Sequence, residues 1–145
     1  MPEVSLVKII KAGKAKVYSV AREMEKFPEF MPDIKKVKIL ERAGNKTVTE
    51  WESMLEDTPI CWKEQDEFDD AKPAINFKLI EGDLDKLDGE WRFEDDGDGT
   101  KVTLFLDYDF GMPAFERIVG PVLKLKLSEN FERMMEGIRA KIEGK

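Results

Sequence analysis

Ala74-Ile75-Asn76-Phe77-Lys78-Leu79-Ile80, Leu87-Asp88-Gly89-Glu90-Trp91-Arg92-Phe93 and Val102-Thr103-Leu104-Phe105-Leu106-Asp107-Tyr108-Asp109-Phe110 are three runs of the stretch from Pro73 to Phe110. In each run large apolar residues take every second position and polar residues mostly fill the gaps. A period of two belongs to strands with one apolar and one wet face. The wet face is heavily acidic. The apolar face carries Phe, Trp and Tyr, which are wide side chains for one small sheet. Such a face must be covered, and what covers it decides the function.

Outward from this stretch, Val4 to Ile10 is β-branched and reads as a first strand. Lys14 to Glu25 suits a helix, with Val17, Val20, Ala21 and Met24 three or four positions apart. Phe27-Pro28-Glu29-Phe30-Met31-Pro32 gives a short helical turn bracketed by two prolines. Residues 34–42 and 46–56 form a hairpin around Gly44-Asn45. A further strand covers Ile60 to Phe68, and Asp96-Gly97-Asp98-Gly99 is a second hairpin turn. A long C-terminal helix is expected from Pro121, a residue suited to a first helical turn, to about Ile142. Leu123, Leu127, Phe131, Met134, Ile138 and Ile142 form one apolar stripe along it. The expected architecture is α+β: an antiparallel sheet of about seven strands, two short helices after the first strand, and one long amphipathic helix laid across the sheet.

The 145 residues suffice for a single domain with a real core. No apolar run approaches the roughly 18 residues of a membrane span. The N-terminal Met1-Pro2-Glu3 lacks a signal peptide's basic start, and one cysteine allows no internal disulfide. A cytoplasmic location is the expectation. The absence of histidine excludes His-based triads and His-containing zinc sites. Charge is uneven: residues 1–49 carry net +5, residues 50–109 net −14 and residues 110–145 net +2. An acidic central sheet argues against nucleic acid as a partner, since phosphates would be repelled. The basic N-terminal third leaves room for contact with RNA or an anionic membrane surface, or it is simply a solvated face.

The order of elements, with these residues, resembles the helix-grip fold of the START-like (SRPBCC) superfamily. Within it the chain looks most like the polyketide cyclase/dehydrase and coenzyme Q-binding group. The resemblance rests on Val17-Tyr18, Phe27-Pro28-Glu29-Phe30-Met31-Pro32, Trp51, Glu81-Gly82-Asp83, Gly89-Glu90-Trp91-Arg92-Phe93 and Gly97-Asp98-Gly99-Thr100-Lys101-Val102-Thr103-Leu104. Their order and spacing, more than any one segment, carry it. It implies a deep cavity between a curved sheet and the C-terminal helix, holding lipids, isoprenoid quinones, polyketides or plant hormones, with aromatase or cyclase activity in some members.

Parity assigns the inner face. Thr49, Trp51, Ser53 and Leu55 share one side, and Ile60, Trp62, Glu64, Asp66 and Phe68 share another. Ile75, Phe77 and Leu79, then Leu87, Trp91 and Phe93, then Leu104, Leu106, Tyr108 and Phe110 complete the face. Three Trp, two Tyr and nine Phe either line a ligand cavity or fill the core against the helix. The candidate ligand-binding set is Phe30, Met31, Trp51, Trp62, Phe77, Trp91, Tyr108, Phe110, Leu127, Phe131 and Met134. Met135 shares the helix ambiguity. Phe30, Met31, Pro32, Met112 and Pro113 are candidates for loops at the cavity mouth.

Glu64 and Asp66 are the most telling polar pair. Pointing inward, they would have raised pKa values and could act as acid, base or hydrogen-bond handle for a ligand hydroxyl. A bulge would turn them to solvent instead. Resemblance to aromatase/cyclases would put Ser and Arg at these two places after Trp62, so the missing arginine counts against cyclase chemistry. Cys61, with Lys63 as its only local cation, is a weak nucleophile candidate. Asp95, Asp96 and Asp98 resemble a calcium loop, but a hairpin turn explains them, and no metal or cofactor is expected. The leading expectation is a protein that binds a hydrophobic small molecule. The alternatives are a cyclase or dehydratase using Glu64, Asp66 or Tyr108, and a ribosome-associated interaction protein contacting its partner through Lys35, Lys36 and Lys38.

Overall fold

The computed structural model describes residues 3–55, 58–111 and 113–144, with the backbone alone for residues 113–119. Strand β1 (Glu3–Ile10) is followed by helix α1 (Lys14–Arg22) and a 3₁₀ helix (Met24–Glu29). Six strands come next: β2 (Ile34–Ala43), β3 (Lys46–Leu55), β4 (Thr58–Asp69), β5 (Ala74–Gly82), β6 (Lys86–Asp96) and β7 (Gly99–Asp109). Helix α2 (Pro113–Glu143) closes the chain. The strands form one sheet in the order β1-β7-β6-β5-β4-β3-β2, antiparallel at every pairing. Hairpins link neighbours in sequence, and only β1 crosses over to pair with β7.

The period of two places the core. Along β7, Thr100, Val102, Leu104, Leu106 and Tyr108 are buried, while the residues between them face outward. The same alternation buries Trp51 and Ser53 of β3, Trp62 and Phe68 of β4, Ile75 and Phe77 of β5, and Leu87, Trp91 and Phe93 of β6. Leu127, Phe131, Met134, Met135 and Ile138 of α2 cover this face. Leu123 and Ile142, the ends of the expected stripe, are only half-buried. Salt bridges from Lys8 to Glu132 at 2.6 Å and to Glu136 at 3.1 Å tie β1 to the helix.

Three expected boundaries change. The long helix starts at Pro113, not Pro121, so Pro121 is an interior residue. Pro113 takes the helix's first position, where the missing N–H costs nothing. Pro113 is therefore helical and not a mouth loop, and Met112 lies outside the described residues. The expected first helix ends at Arg22, and the short turn comes earlier, at Met24–Glu29, with Pro28 inside it.

Two glycines let the sheet take its shape. At Gly89 a Cβ would stand 2.5 Å from Phe77 Cζ and collide with the Phe105 carbonyl. The absent side chain lets the Phe77 ring lie across β6. At Gly82, φ is +153° and a Cβ would sit 2.5 Å from Trp62 Cα. There the end of β5 folds over β4, held by the Cys61 N–H donating to Asp83 Oδ2 at 2.7 Å. β5 pairs with β6 only over Ala74–Lys78, so the two strands part towards Gly82 and Lys86.

Candidate functional site

β3 and β4 build the polar part of the interior. Their register sets Thr47 opposite Asp66, Thr49 opposite Glu64 and Trp51 opposite Trp62. Glu64 is 4% and Asp66 0% exposed, so a bulge does not turn this pair to solvent. A register shift against β5 does occur, between Lys63 and Glu64. Pairing with β3 nevertheless runs unbroken from Lys46 with Glu67 to Leu55 with Thr58, which keeps both carboxyls on the inner face.

A hydrogen-bonded chain joins these side chains. The Trp51 indole N–H donates to Thr49 Oγ1 at 2.8 Å. The Thr49 hydroxyl donates to Asp66 Oδ2 at 2.7 Å, and the Thr47 hydroxyl reaches the same oxygen at 3.2 Å. The Trp62 indole N–H donates to Glu64 Oε1 at 2.8 Å. The two indoles stack, with centroids 5.5 Å apart and planes 7° from parallel. Glu64 and Asp66 sit two residues apart on the same buried face of β4, so each carboxyl feels the other's charge.

Asp66 Oδ1 has no N–H or hydroxyl donor among the described residues. Burial pushes the Glu64 carboxyl well above the usual range, and the charge of Asp66 pushes it further. Burial also raises Asp66, while the hydroxyls of Thr49 and Thr47 that donate to it favour its ionised form. Of the two carboxyls, Glu64 is the one whose surroundings most favour the protonated form, and the pair titrates as a unit.

Two voids of about 20 Å³ each lie between this face and α2. Each has room for about one water. Met24, Trp51, Trp62, Glu64, Phe77, Leu87, Trp91, Phe131 and Met134 line the first. Ser53, Leu55, Ile60, Trp62, Leu84, Leu87, Phe110, Leu127, Asn130 and Phe131 line the second. Trp62, Leu87 and Phe131 border both and form the partition. In this conformation side chains from sheet and helix meet across the space where the resemblance implies a deep cavity.

Of the candidate ligand-binding residues, Trp51, Trp62, Phe77, Trp91, Phe110, Leu127, Phe131 and Met134 line one void or both. Tyr108, Phe30 and Met31 lie outside both linings. Tyr108 is fully buried, opposite Leu87 in register and edge-on to Phe110 at 5.7 Å. Phe30 is half-buried with Lys141 Nζ 5.8 Å from its ring centroid. Met31 is buried under Gly137 of α2, where a Cβ would be 3.0 Å from Met31 Cγ. Sequence reasoning missed Asn130, whose Nδ2 donates to the Met54 carbonyl at 2.9 Å beside the second void. It also missed Met24, Leu84 and the bonding role of Thr47. The signal for Thr47 was its parity with Thr49 and Trp51.

Cys61 is exposed on the outer face. Burial and the nearby Glu52 and Asp83 raise its pKa, and Lys63 pairs with Glu81 at 3.6 Å. A thiol held protonated in this way is a poor nucleophile. Gly97 and Asp98 make the turn between β6 and β7, with Gly97 at φ +59°. Asp95 pairs with Lys14 at 3.3 Å, and no group of three metal-ligating side chains forms among the described residues. None of their helices is long and apolar enough to cross a membrane.

A seven-stranded antiparallel sheet closed over a long C-terminal helix, with short helices after the first strand, is the helix-grip fold of START-like proteins. The chain belongs to the polyketide cyclase / dehydrase and lipid transport family, whose model matches residues 10–135. Among solved structures it is similar to TTHA0849 from Thermus thermophilus, at 27% identity and a TM-score of 0.94 over 99% of this chain and 98% of that one. It shares its fold with a START superfamily protein from Mycobacterium smegmatis, at 20% identity and a TM-score of 0.84 over 98% and 97% of the two chains. The Zhui aromatase/cyclase from Streptomyces sp. R1128 also has this fold, at 16% identity and a TM-score of 0.80 over 97% and 95%. No curated protein matches the chain in sequence.

Proposed function

We propose that the chain binds a hydrophobic small molecule, a lipid, isoprenoid quinone or polyketide-like compound, between the sheet and α2. The observation that carries this reading is the buried Glu64–Asp66 carboxyl pair set into a mostly aromatic and aliphatic wall. A structural core gains nothing from two carboxyls, since removing them from water is costly unless they are well paired. A pocket that must orient an apolar molecule needs a few polar groups of this kind. The voids describe a closed form. A ligand would occupy the space by moving Phe131 and Leu127 away from Trp62 and Leu87, with the binding energy offsetting the cost of opening.

The test uses the stacked Trp51 and Trp62 as reporters. Purified protein is titrated with alkylphenols, fatty alcohols, isoprenoid quinones and fatty acids while tryptophan emission is followed. A saturable change with at least one class supports the reading, and no saturable change with any class contradicts it.

The raised pKa of the buried Glu64 carboxyl favours a second reading, acid–base catalysis. Glu64 would protonate a leaving hydroxyl or a carbonyl oxygen in a cyclisation or dehydration, with Asp66 stabilising its carboxyl. Turnover of a poly-β-ketone substrate that Glu64→Gln abolishes, with binding retained, is the expected result of that reading. Unchanged turnover in the variant would sink it.

A further inference from the structure

We infer that Trp91 is a hydrogen-bond donor of the binding site: its indole N–H holds an uncharged oxygen acceptor of the bound molecule, such as a carbonyl oxygen, in the first void. This rests on the binding reading above and names the polar group its ligand carries and the residue that meets it.

The three tryptophans of the inner face differ in one respect. The Trp51 N–H is held by Thr49 Oγ1 at 2.8 Å, and the Trp62 N–H by Glu64 Oε1 at 2.8 Å. Trp91 is 4% exposed, and its N–H has no acceptor among the described residues. Its neighbours explain this. In register Trp91 stands between Ile75 of β5 and Leu104 of β7, both fully buried hydrocarbons. The positions two before and two after it on β6 are Gly89 and Phe93, which offer no acceptor side chain either. A buried N–H left unpaired costs about 1–3 kcal/mol, and a phenylalanine would fill a core position without that cost. The chain supplies acceptors for two of its indoles; the third takes its acceptor from the bound molecule.

Trp91 borders the first void, and the rest of that lining decides what the acceptor is. Trp51 and Trp62 have their N–H groups already held, and Glu64 is the other polar side chain there. Met24, Phe77, Leu87, Phe131 and Met134 complete an apolar wall. A charged head group would lose its hydration in this place, with no cation on the lining to offset the loss. A neutral oxygen fits. A carbonyl accepts from Trp91 and needs nothing more, and a hydroxyl can in addition donate to a Glu64 oxygen.

The experiment uses 1-tetralone and tetralin, equal bicyclic frames that carry a carbonyl or a methylene at one position. Isotope-labelled protein is titrated with each while the indole N–H signals, assigned through contacts with their own neighbours, are followed by NMR. Tetralone should move the Trp91 signal downfield, as a new hydrogen bond does, and tetralin should not. Binding constants for the native chain and for Trp91→Phe give the second arm. The variant should bind tetralone about tenfold more weakly, the effect of one buried hydrogen bond, and tetralin within about twofold. The inference is overturned if tetralone binds without moving the Trp91 signal downfield, or if Trp91→Phe, folded by circular dichroism, keeps the native affinity ratio of the two compounds. Should the variant not fold, the native titration decides alone. Failure of both compounds to bind the native chain would overturn the binding reading as well, an outcome distinct from binding that leaves Trp91 unchanged.

Discussion

Thr49 takes the hydrogen of one tryptophan and gives its own to Asp66. Replacing it with valine keeps the shape but leaves a buried indole N–H without an acceptor and Asp66 with one donor fewer. Thr49→Val should lower the unfolding free energy by about 1–3 kcal/mol, measured by urea denaturation. Glu64 makes a prediction of opposite sign. Its folded-state pKa is raised well above the ordinary value of 4.5. Between the two values the folded chain therefore holds a proton that the unfolded chain has released. The group's contribution is fully present below about 4.5 and is lost as pH rises through the raised value. Glu64→Gln does not titrate, so its stability relative to the native chain should climb as pH rises from 4.5 until the raised value is passed. Denaturation midpoints at several pH values check this, and a constant difference would contradict it. Parity in the sequence set both carboxyls on the face of Trp62. Choosing between core and solvent required the position of the register shift, which no local pattern encodes.

At the scale of elements, α2 and the inner face meet at Phe131, 6% exposed and part of the partition between the voids. Phe131→Ala should cost about 3–5 kcal/mol and join the voids into one larger space. That space, mostly apolar, should bind benzene or indole, seen as a rise in melting temperature that the native chain does not show. No such rise would mean that the neighbours collapse into the gap. The stripe from Leu127 to Ile138 was legible because its spacing of three and four is unmixed. The helix start was not. Pro121 satisfies the rule for a first turn, but Pro113 satisfies it as well, and the helix takes the earlier one. The strands were legible to within about three residues because their alternation is strict, whereas the parting of β5 from β6 depends on which pairs fail to form.

For the whole molecule, the fold was readable because strand period, turn glycines and the final helix all specify one sheet gripping one helix. The ligand was not readable, because the residues that line a cavity and those that fill a core share composition and spacing. Among the residues of α2 from 120 to 126 none is fully buried, and the next residue, Leu127, is. If the proposed binding opens the interior, that division favours opening near Leu84, Phe110 and Leu127, all of which line the second void. The central claim is that this closed interior opens to hold an apolar molecule. Native mass spectrometry of protein purified without organic solvent, followed by extraction of the released compound, tests it most directly. The account predicts a discrete mass increment that denaturation removes, or one restored by adding an alkylphenol. A bare polypeptide mass that no hydrophobic compound shifts would contradict it.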